Sequence, residues 1–374
     1  MRTAASLLIC FGFFLSHNAT AQTASPRTAE YCGDCHRAIY DGWRKSAHAA
    51  AMESRLFQDA EKAAETDYGS SARKVCLGCH SPAGVATGDL ALVRKVSWEG
   101  ITCDYCHSIR DVSMAGANPA VRVEFTNVKS GPSKDAVSPA HGTVFSAVHT
   151  SSAICATCHE YHNATGFAVL TTYSEWKNSS YAKNGKQCQS CHMFTVHGEI
   201  VDARAVKTKE RTDEVNLHEM PGSHSAQQLN RAIKTQFAAE REGDQVKVTM
   251  KLTNAGAGHY VPTGSPMRQL ILEVLLSPYD GGQTQRQGRV YARTVVDEKG
   301  KAVQREPAAF LRAAKATADT RIAPQETRTE TFAFALAPGK RAKAEVNLYY
   351  YYSPMLTAEE QQKVRFFTVS RMVQ

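Results

Sequence analysis

Ten cysteines occur in five identical arrangements, each a Cys-x-x-Cys pair followed at once by a histidine. This is the attachment sequence of c-type haem, in which two thiols bind the porphyrin covalently and the adjacent imidazole binds the iron. Zinc also binds paired cysteines, but zinc sites do not require a histidine directly after the second cysteine. The repetition therefore predicts five covalently bound haem c groups rather than zinc. The predicted attachment residues are Cys32, Cys35, Cys76, Cys79, Cys103, Cys106, Cys155, Cys158, Cys188 and Cys191, and the adjacent iron ligands are His36, His80, His107, His159 and His192.

Each iron also has an opposite face, and eight further histidines follow the N-terminal leader. If five of them bind iron, all five haems are bis-histidine haems with low reduction potentials, because a methionine ligand would raise the potential. Eight candidates for five irons favour full ligation over an open substrate site. The predicted distal ligands are His48, His141, His149, His218 and His259, with His162, His197 and His224 in reserve.

The segment Tyr31–Ala50 is predicted as one helix that carries both His36 and His48. Twelve residues of α-helix rise about 18 Å and end about 120° beyond three full turns. His48 therefore does not reach the opposite face of the haem held at His36, and we expect it to bind a different haem. A surface position for His48 is the alternative.

The other candidates are ranked by their distance from a motif. His162 follows its motif histidine by three residues and His197 by five, so neither can bind the far face of its own haem. His162 is therefore predicted to bond a propionate or to lie at the surface. His141 and His149 precede the fourth motif and project within about 80° of each other on a helix, which favours one or both as ligands. In "LHEMPGSH", His218 is favoured and His224 is the reserve.

After about Ala232 the pattern changes to period-two alternation without cysteine. Five segments read as strands separated by turns, which predicts an antiparallel β-sandwich. They are "DQVKVTMKLTN", "MRQLILEVLL", "GRVYARTVVD", "ETRTETFAFAL" and "AEVNLYYYY". The loop "NAGAGHYVPTGSP" carries His259 at its centre, and two interpretations stay open: docking on the haem-binding part to bind an iron, or a surface histidine.

The N-terminus reads as a secretory signal peptide, with one arginine, an apolar run and a small-x-small cleavage site. We predict cleavage after Ala21, which removes Cys10. No later segment has the roughly 18 apolar residues of a transmembrane helix, so none is expected in the mature chain. The predicted fold is α+β and multidomain: signal peptide 1–21, a mostly helical pentahaem domain 22–230 and a β-sandwich 231–374. The periplasm is the expected location, with an extracellular or outer-membrane-associated position as the alternative.

The net charge of +8 becomes +7 when Arg2 leaves with the leader. Each ferric bis-histidine haem contributes about −1 through its two propionates, so five haems reduce the total to roughly +2. The basic excess therefore mostly offsets propionates, and binding of nucleic acid is not predicted.

Three segments carry a family resemblance: "W-x-x-S-x-H" at Trp43–His48, "TYSEWKNSSYAKNGKQCQSCHM" at Thr172–Met193, and Leu217–His224. They resemble the cytochrome c-554/c-prime multihaem family, within the wider group of pentahaem nitrite reductases and hydroxylamine oxidoreductase. The resemblance covers roughly residues 28–230, and "AGHYVPTG" is similar to multihaem members with a C-terminal β-domain. It implies a mostly helical periplasmic electron carrier with alternating stacked and perpendicular haem pairs, and it implies that His48 binds a haem other than its neighbour.

The chain also departs from the enzymes of that group. The nitrite reductases have a lysine in place of one motif histidine, whereas all five motifs here end in histidine. The hydroxylamine-oxidising branch needs more haems and a tyrosine cross-linked to one of them, and nothing marks such a tyrosine here. The sequence therefore favours an electron carrier over a catalyst, with other cytochromes or a quinol-oxidising membrane protein as redox partners. The alternative is an oxidoreductase with one open-coordination haem that acts on a small nitrogen or sulfur compound.

Overall fold

The computed structural model describes residues 25–206 and 212–374. The predicted signal peptide 1–21, its cleavage after Ala21 and Cys10 lie outside these residues. Up to residue 232 the described chain forms short helices and small sheets, and from residue 233 it forms mainly long strands. None of the helices in the described ranges is long and apolar enough to cross a membrane.

The helices of the first part are short, and several begin at a hydroxyl side chain that caps free backbone N–H groups. Thr28 Oγ1 accepts a hydrogen bond from the backbone N–H of Tyr31 at 3.3 Å, and Thr102 Oγ1 accepts one from Tyr105 at 3.1 Å. The helices are α1 (Ala29–Gly33), α2 (Arg37–Trp43), α3 (Arg55–Tyr68), α4 (Ser70–His80), α5 (Pro82–Ala86), α6 (Lys95–Trp98), α7 (Cys103–His107), α8 (Ala153–His159), α9 (Thr172–Lys177), α10 (Ser180–Lys183), α11 (Gln189–His192) and α12 (Ala226–Ala232), with 3-10 helices at Ala49–Ala51 and Ala147–Thr150.

Four two-stranded sheets lie between these helices, where only helices and loops were expected. Their strands are two to five residues long, too short for a period-two pattern to appear in the sequence. One pair, β3 with β4, is parallel and the other three are antiparallel. The strands are β1 (Ile109–Ser113), β2 (Ala120–Val123), β3 (Val128–Gly131), β4 (Gly142–Phe145), β5 (Tyr161–His162), β6 (Ala168–Leu170), β7 (Thr195–Glu199) and β8 (Thr212–Asn216).

The segment Tyr31–Ala50 is not one helix, and that prediction was wrong. The chain leaves the helical conformation at His36, where φ is −92° and ψ is 53°, and a separate 3-10 helix covers Ala49–Ala51. Nδ1 of His36 is hydrogen-bonded to the carbonyl oxygen of Ile200 at 2.8 Å. This contact joins residues far apart in the sequence and fixes the ring of His36. Local helix propensity depends on neighbouring residues only, so it could not predict the contact.

The C-terminal part contains two antiparallel sheets with strand orders β14-β10-β9 and β13-β12-β11-β15-β16. The five strands predicted from alternation are confirmed as β10, β11, β12, β14 and β15, whereas β9, β13 and β16 were missed. The elements are β9 (Ile233–Glu242), β10 (Gln245–Asn254), β11 (Gln269–Pro278), β12 (Gln285–Asp297), α13 (Glu306–Leu311), β13 (Ala313–Asp319), β14 (Thr327–Ala335), β15 (Ala342–Tyr351), α14 (Glu359–Gln362) and β16 (Lys363–Val373).

The two sheets bury their inner faces against each other. Alternate residues of β10, such as Val248 and Met250, join Leu272 of β11 and Phe332 of β14 in one hydrophobic core. Side chains that alternate between core and solvent are the expected arrangement for packed antiparallel sheets. The period-two pattern in the sequence therefore corresponds to burial on one face of each sheet.

A buried ion pair links this core to the helices of the first part. Glu175 on α9 accepts a hydrogen bond from Nη1 of Arg321 at 2.7 Å, and the two side chains are 6% and 7% exposed. The other carboxylate oxygen accepts hydrogen bonds from the backbone N–H of Tyr260 at 3.1 Å and from Thr263 Oγ1 at 2.8 Å. Glu175 therefore holds the loop that carries His259.

Replacement of Glu175 by alanine should destabilise the protein by about 3–5 kcal/mol, because it removes one partner of a buried ion pair. Denaturant unfolding followed by circular dichroism measures this change. Glu242→Ala is the matched control, since Glu242 pairs with Lys247 where the side chains are 56% and 47% exposed, and an exposed pair contributes about 0.2–1 kcal/mol. Equal effects of the two substitutions would show that Glu175 does not anchor the loop.

Candidate haem-binding site

The five motifs open onto one cavity of about 2580 Å³, and all ten motif cysteines line it. Ordinary small-molecule pockets are roughly 300–1,000 Å³, so this space suits several large ligands rather than one. The hydrophobic clusters beside it are small; one consists of Met52, Phe57, Leu77 and Leu92. The large cavity and the small hydrophobic clusters are therefore consistent with an interior that porphyrins fill.

Thiols of different motifs lie close enough to change each other's pKa. They show which motifs are neighbours: the first with the third, the second with the fourth, and the fourth with the fifth. These contacts are Cys32 with Cys103, Cys79 with Cys158, and Cys155 with Cys188. The third and fourth motifs are also neighbours, since Cys158 adds to the burial that raises the pKa of Cys106 to about 12.

Four motif histidines face a second imidazole at one common distance. An imidazole nitrogen lies about 2.0–2.1 Å from a bound transition metal and about 1.1 Å from its own ring centre, so two imidazoles across one iron have centres roughly 6.2–6.4 Å apart. All four pairs have ring centres 6.3 Å apart: His36 with His141, His48 with His159, His107 with His218, and His192 with His259. Each pair therefore leaves the space that one iron needs.

Backbone carbonyls orient most of these rings. Nδ1 is hydrogen-bonded to a carbonyl oxygen in six of the eight paired rings and in His80, which leaves Nε2 directed away from the backbone and able to bind a metal. The contacts are His36 to Ile200, His80 to Ala51, His107 to Ser130, His141 to Gly142, His192 to Pro221, His218 to Asn216 and His259 to Tyr260, at 2.7–2.9 Å.

Burial favours the neutral form of three cavity imidazoles. It is the main cause that lowers the pKa to about 4 for each of His48, His159 and His218, and neighbouring imidazoles lower it further. A neutral imidazole has a free lone pair, which is the form that binds metal. The electrostatics of the cavity therefore suit iron ligation at neutral pH.

Comparisons with known proteins also support haem binding. Residues 31–108 match the family model described as cytochrome c554 and c-prime. Over 82 residues the chain is 32% identical to cytochrome c-554 of Nitrosomonas europaea. The aligned segment covers 20% of this chain and 35% of that relative, so the chain spans about a third of the relative's length. The fold is similar to the crystal structure of a penta-haem cytochrome c552 from Thermochromatium tepidum, with a TM-score of 0.72 and 21% identity, over 93% of this chain and 99% of that one.

Together these matches support a multihaem c-type cytochrome family for the chain. Its cofactor is haem c bound covalently at the Cys-x-x-Cys-His motifs, which supplies one-electron chemistry at iron. The remaining histidines of this cytochrome differ in what they contact.

His80 is the motif histidine without a second imidazole opposite it. Among the residues that the structure describes, its ring contacts the ring of Phe57, stacked at 3.9 Å with an interplanar angle of 11°. Phe57 lies on the face of the imidazole, so it supports this ring and provides no iron ligand. The motif of Cys76 and Cys79 therefore differs from the other four motifs in the surroundings of its histidine.

His149, a predicted distal ligand, also lies beside His107. Their ring centres are 5.4 Å apart, and His149 bonds the carbonyl oxygen of Cys106 through Nε2 at 2.9 Å. Its Nδ1 is buried and has no hydrogen-bond partner among the described residues. Of the two imidazoles near His107, His218 has the spacing and the free Nε2 that ligation requires.

Among the described residues, none of the three reserve histidines forms a ring contact with a motif histidine. His162 and His197 are absent from the cavity lining, and His197 is exposed on β7. His224 lines the cavity but stacks on Tyr352 at 4.6 Å. The sequence analysis missed two residues with clear roles at the site, Phe57 beside His80 and Glu175 beneath the His259 loop. Neither belongs to a motif, and the one available signal was the acidic residue within "TYSEWK".

Replacement of His259 by alanine should convert the haem held at His192 from low-spin to high-spin, because its iron loses one of two strong nitrogen ligands. Electron paramagnetic resonance (EPR) of the oxidised protein should show one additional haem equivalent of high-spin iron. His197→Ala is the control and should leave the spectrum unchanged. An unchanged spectrum for H259A would mean that His259 does not bind iron.

Proposed function

We propose that this chain is an exported electron-transfer protein with five haem c groups, one on each Cys-x-x-Cys-His motif. The observation that carries the proposal is the common 6.3 Å spacing of four imidazole pairs. Ligation on both faces leaves an iron no position for substrate, so such haems exchange electrons without binding one. In the proposed organisation, residues 22–230 form the haem-binding domain and residues 231–374 a β-sandwich.

The neighbouring thiols support an order for the electron route. The first motif meets the third, the third meets the fourth, and the fourth also meets the second and the fifth. In this proposal the fourth haem is the junction, with the first, second and fifth haems at separate ends. Macrocycles in contact exchange electrons through the protein without diffusion, which is the property that a carrier needs.

The proposed location is the periplasm, after removal of residues 1–21, with an extracellular or outer-membrane-associated position as the alternative. The proposed partners are other cytochromes or a quinol-oxidising membrane protein. The apolar leader read from the sequence supports export. Docking of such partners brings two haem edges close together, and rapid exchange requires only a small interface.

Mass spectrometry of the mature protein should give the mass of residues 22–374 plus five haems, because each motif provides both thiols and the adjacent imidazole. A Cys188→Ala, Cys191→Ala double variant should lose one haem and is the control for counting. A mature mass with fewer than five haems would contradict the proposal.

One observation favours a second candidate, an oxidoreductase with a single open haem. The His80 ring has Phe57 beside it and no imidazole at 6.3 Å among the described residues, so the far face of this haem is available to a small ligand. Tyr161 and Phe310 stack at 6.2 Å near this haem, since the Cys76 and Cys79 thiols, after burial, contribute to raising the pKa of Tyr161. An aromatic wall of this kind would exclude water from a bound nitrogen or sulfur compound.

The reduced protein should bind about one equivalent of carbon monoxide per five haems, because a five-coordinate ferrous iron accepts this ligand and a bis-histidine iron does not. Optical titration measures the stoichiometry, and H259A should raise it to two as a positive control. Anaerobic mixing of the reduced protein with nitrite, hydroxylamine or sulfite then separates the functions. Reoxidation over many turnovers supports the oxidoreductase, whereas carbon monoxide binding without turnover supports the carrier. No carbon monoxide binding would eliminate the open haem.

A further inference from the structure

The wall of the haem cavity carries a buried acid and a half-buried arginine that the haem ligation does not use. Glu306 is the first residue of α13 and is 6% exposed. Arg268 lies at the end of the loop that carries His259, and its backbone N–H donates to the carbonyl oxygen of Ser265 at 3.0 Å. Both side chains line the cavity shared by the five motifs.

Each of these groups has one atom without a partner. Oε2 of Glu306 accepts a hydrogen bond from Ser265 Oγ, whereas Oε1 is buried and unpaired within the described chain. The guanidinium of Arg268 lies 5.2 Å from the ring centre of Tyr352, and its buried Nη1 is likewise unpaired among the described residues. In that part of the chain the two side chains form no direct ion pair, although Arg268 is close enough to offset part of the effect of burial on the pKa of Glu306.

Two unpaired buried polar atoms are costly, and native proteins provide partners for such groups. A single group that partners both atoms would accept a hydrogen bond from the arginine N–H and also bond the carboxyl oxygen. A carboxylate satisfies both requirements, because it bonds arginine strongly and shares one proton with a second carboxyl. The haem groups of this cavity carry such carboxylates as propionates.

We propose that Arg268 and Glu306 form a binding site for one haem propionate, which accepts a hydrogen bond from Nη1 of Arg268 and shares a proton with Oε1 of Glu306. The site rests on the proposed haem occupancy of the cavity and goes beyond electron transfer, since it couples one haem to a proton.

The surroundings of Glu306 favour this shared proton. Burial raises the pKa of Glu306, while Arg268, Ser265 and Ser353 lower it in part. The other charged or titratable groups on the packed elements are tyrosines, one histidine and paired charges. They are Tyr350, Tyr351 and Tyr352 at the end of β15, His224 stacked on Tyr352, and, where α3 meets α13, Asp67 paired with Arg305 and Tyr68 beneath Arg312.

Reduction of the iron changes the charge that the propionate and Glu306 experience. A haem iron reduced there by one electron from an external reductant would carry one positive charge less, which would raise the pKa of the carboxyl pair. One proton from solvent then binds between the two carboxyl groups. Between the pKa of the pair in the oxidised protein and its higher pKa in the reduced protein, the reduction potential therefore falls as pH rises.

Spectroelectrochemical titration of the complete haem-loaded protein, from mildly acidic to mildly alkaline pH, tests the site. One haem should show a potential that falls by up to about 59 mV per pH unit, the one-electron equivalent of a tenfold change in proton activity. Glu306→Gln should abolish this slope and leave the other haems unchanged. Glu330→Gln is the matched control, because Glu330 pairs with Arg289 outside the cavity lining.

The arginine is tested by two substitutions. Arg268→Gln should lower the potential of the same haem and move its pH-dependent range upward, because a cation that favours both the reduced iron and the ionised carboxyl is lost. Arg268→Lys keeps the charge and should restore most of the potential. If glutamine and lysine variants behave alike, Arg268 acts only through packing and the proposed contact is wrong.

Two further measurements separate the alternatives. Ser265→Ala keeps the carboxyl but removes its hydrogen-bond donor, so the slope should persist at higher pH even if E306Q does not fold. Exchange of phosphate or acetate for a bulky buffer should leave the wild-type slope unchanged, and a slope that depends on these anions would assign the site to a free anion instead of a propionate. An unchanged slope in E306Q with every haem still present overturns the inference, whereas a low haem count in the wild-type protein contradicts the proposed function instead.

Discussion

The distance between two imidazoles on opposite faces of one iron is the constraint on which the rest of this structure depends. Four pairs meet it at 6.3 Å, and each joins residues far apart in the sequence, as His48 and His159 do. The small sheets and turns of the first part supply the carbonyls that orient Nδ1 of the rings, Ser130 and Asn216 among them. The hydrophobic clusters beside the cavity are small, so these hydrogen bonds position the imidazoles, a role that a packed side-chain core has in most proteins.

The C-terminal strands contribute to the cavity as well as to stability. Their large hydrophobic core provides a rigid base, and the loop held by Glu175 and Arg321 places His259 opposite His192. Arg268, at the far end of that loop, lines the same cavity. A side chain on a loop is positioned well only when the loop is fixed at several points, and here the buried carboxylate of Glu175 bonds backbone, hydroxyl and guanidinium donors together.

Local patterns in the sequence predicted the features that depend only on neighbouring residues, namely the attachment motifs and five of the strands. The attachment motifs are contiguous, and five sandwich strands show alternation because one face of each is buried. Strands β9, β13 and β16 were missed because burial along each of them is sparse or irregular, so their apolar residues do not alternate clearly. The helix predicted over Tyr31–Ala50 failed at His36, whose conformation depends on distant contacts. Which imidazole faces which could not be predicted, because sequence spacing does not determine spatial neighbours.

The motif that ends at His80 differs from the other four in the ring that its histidine contacts and in its proposed position on the route. Its thiols contact those of the fourth motif, so it lies at one end of the proposed route, and the described residues provide no second imidazole for it. The helix that begins at Glu306 places Phe310 on Tyr161, near the same thiols. In this proposal, electrons would arrive through the fourth haem and a proton would be taken up at Glu306, both close to the haem held at His80. Reduction of a small oxidised compound needs both, whereas simple electron transfer needs neither an open iron nor a proton, so this end of the molecule is where carrier and catalyst would differ.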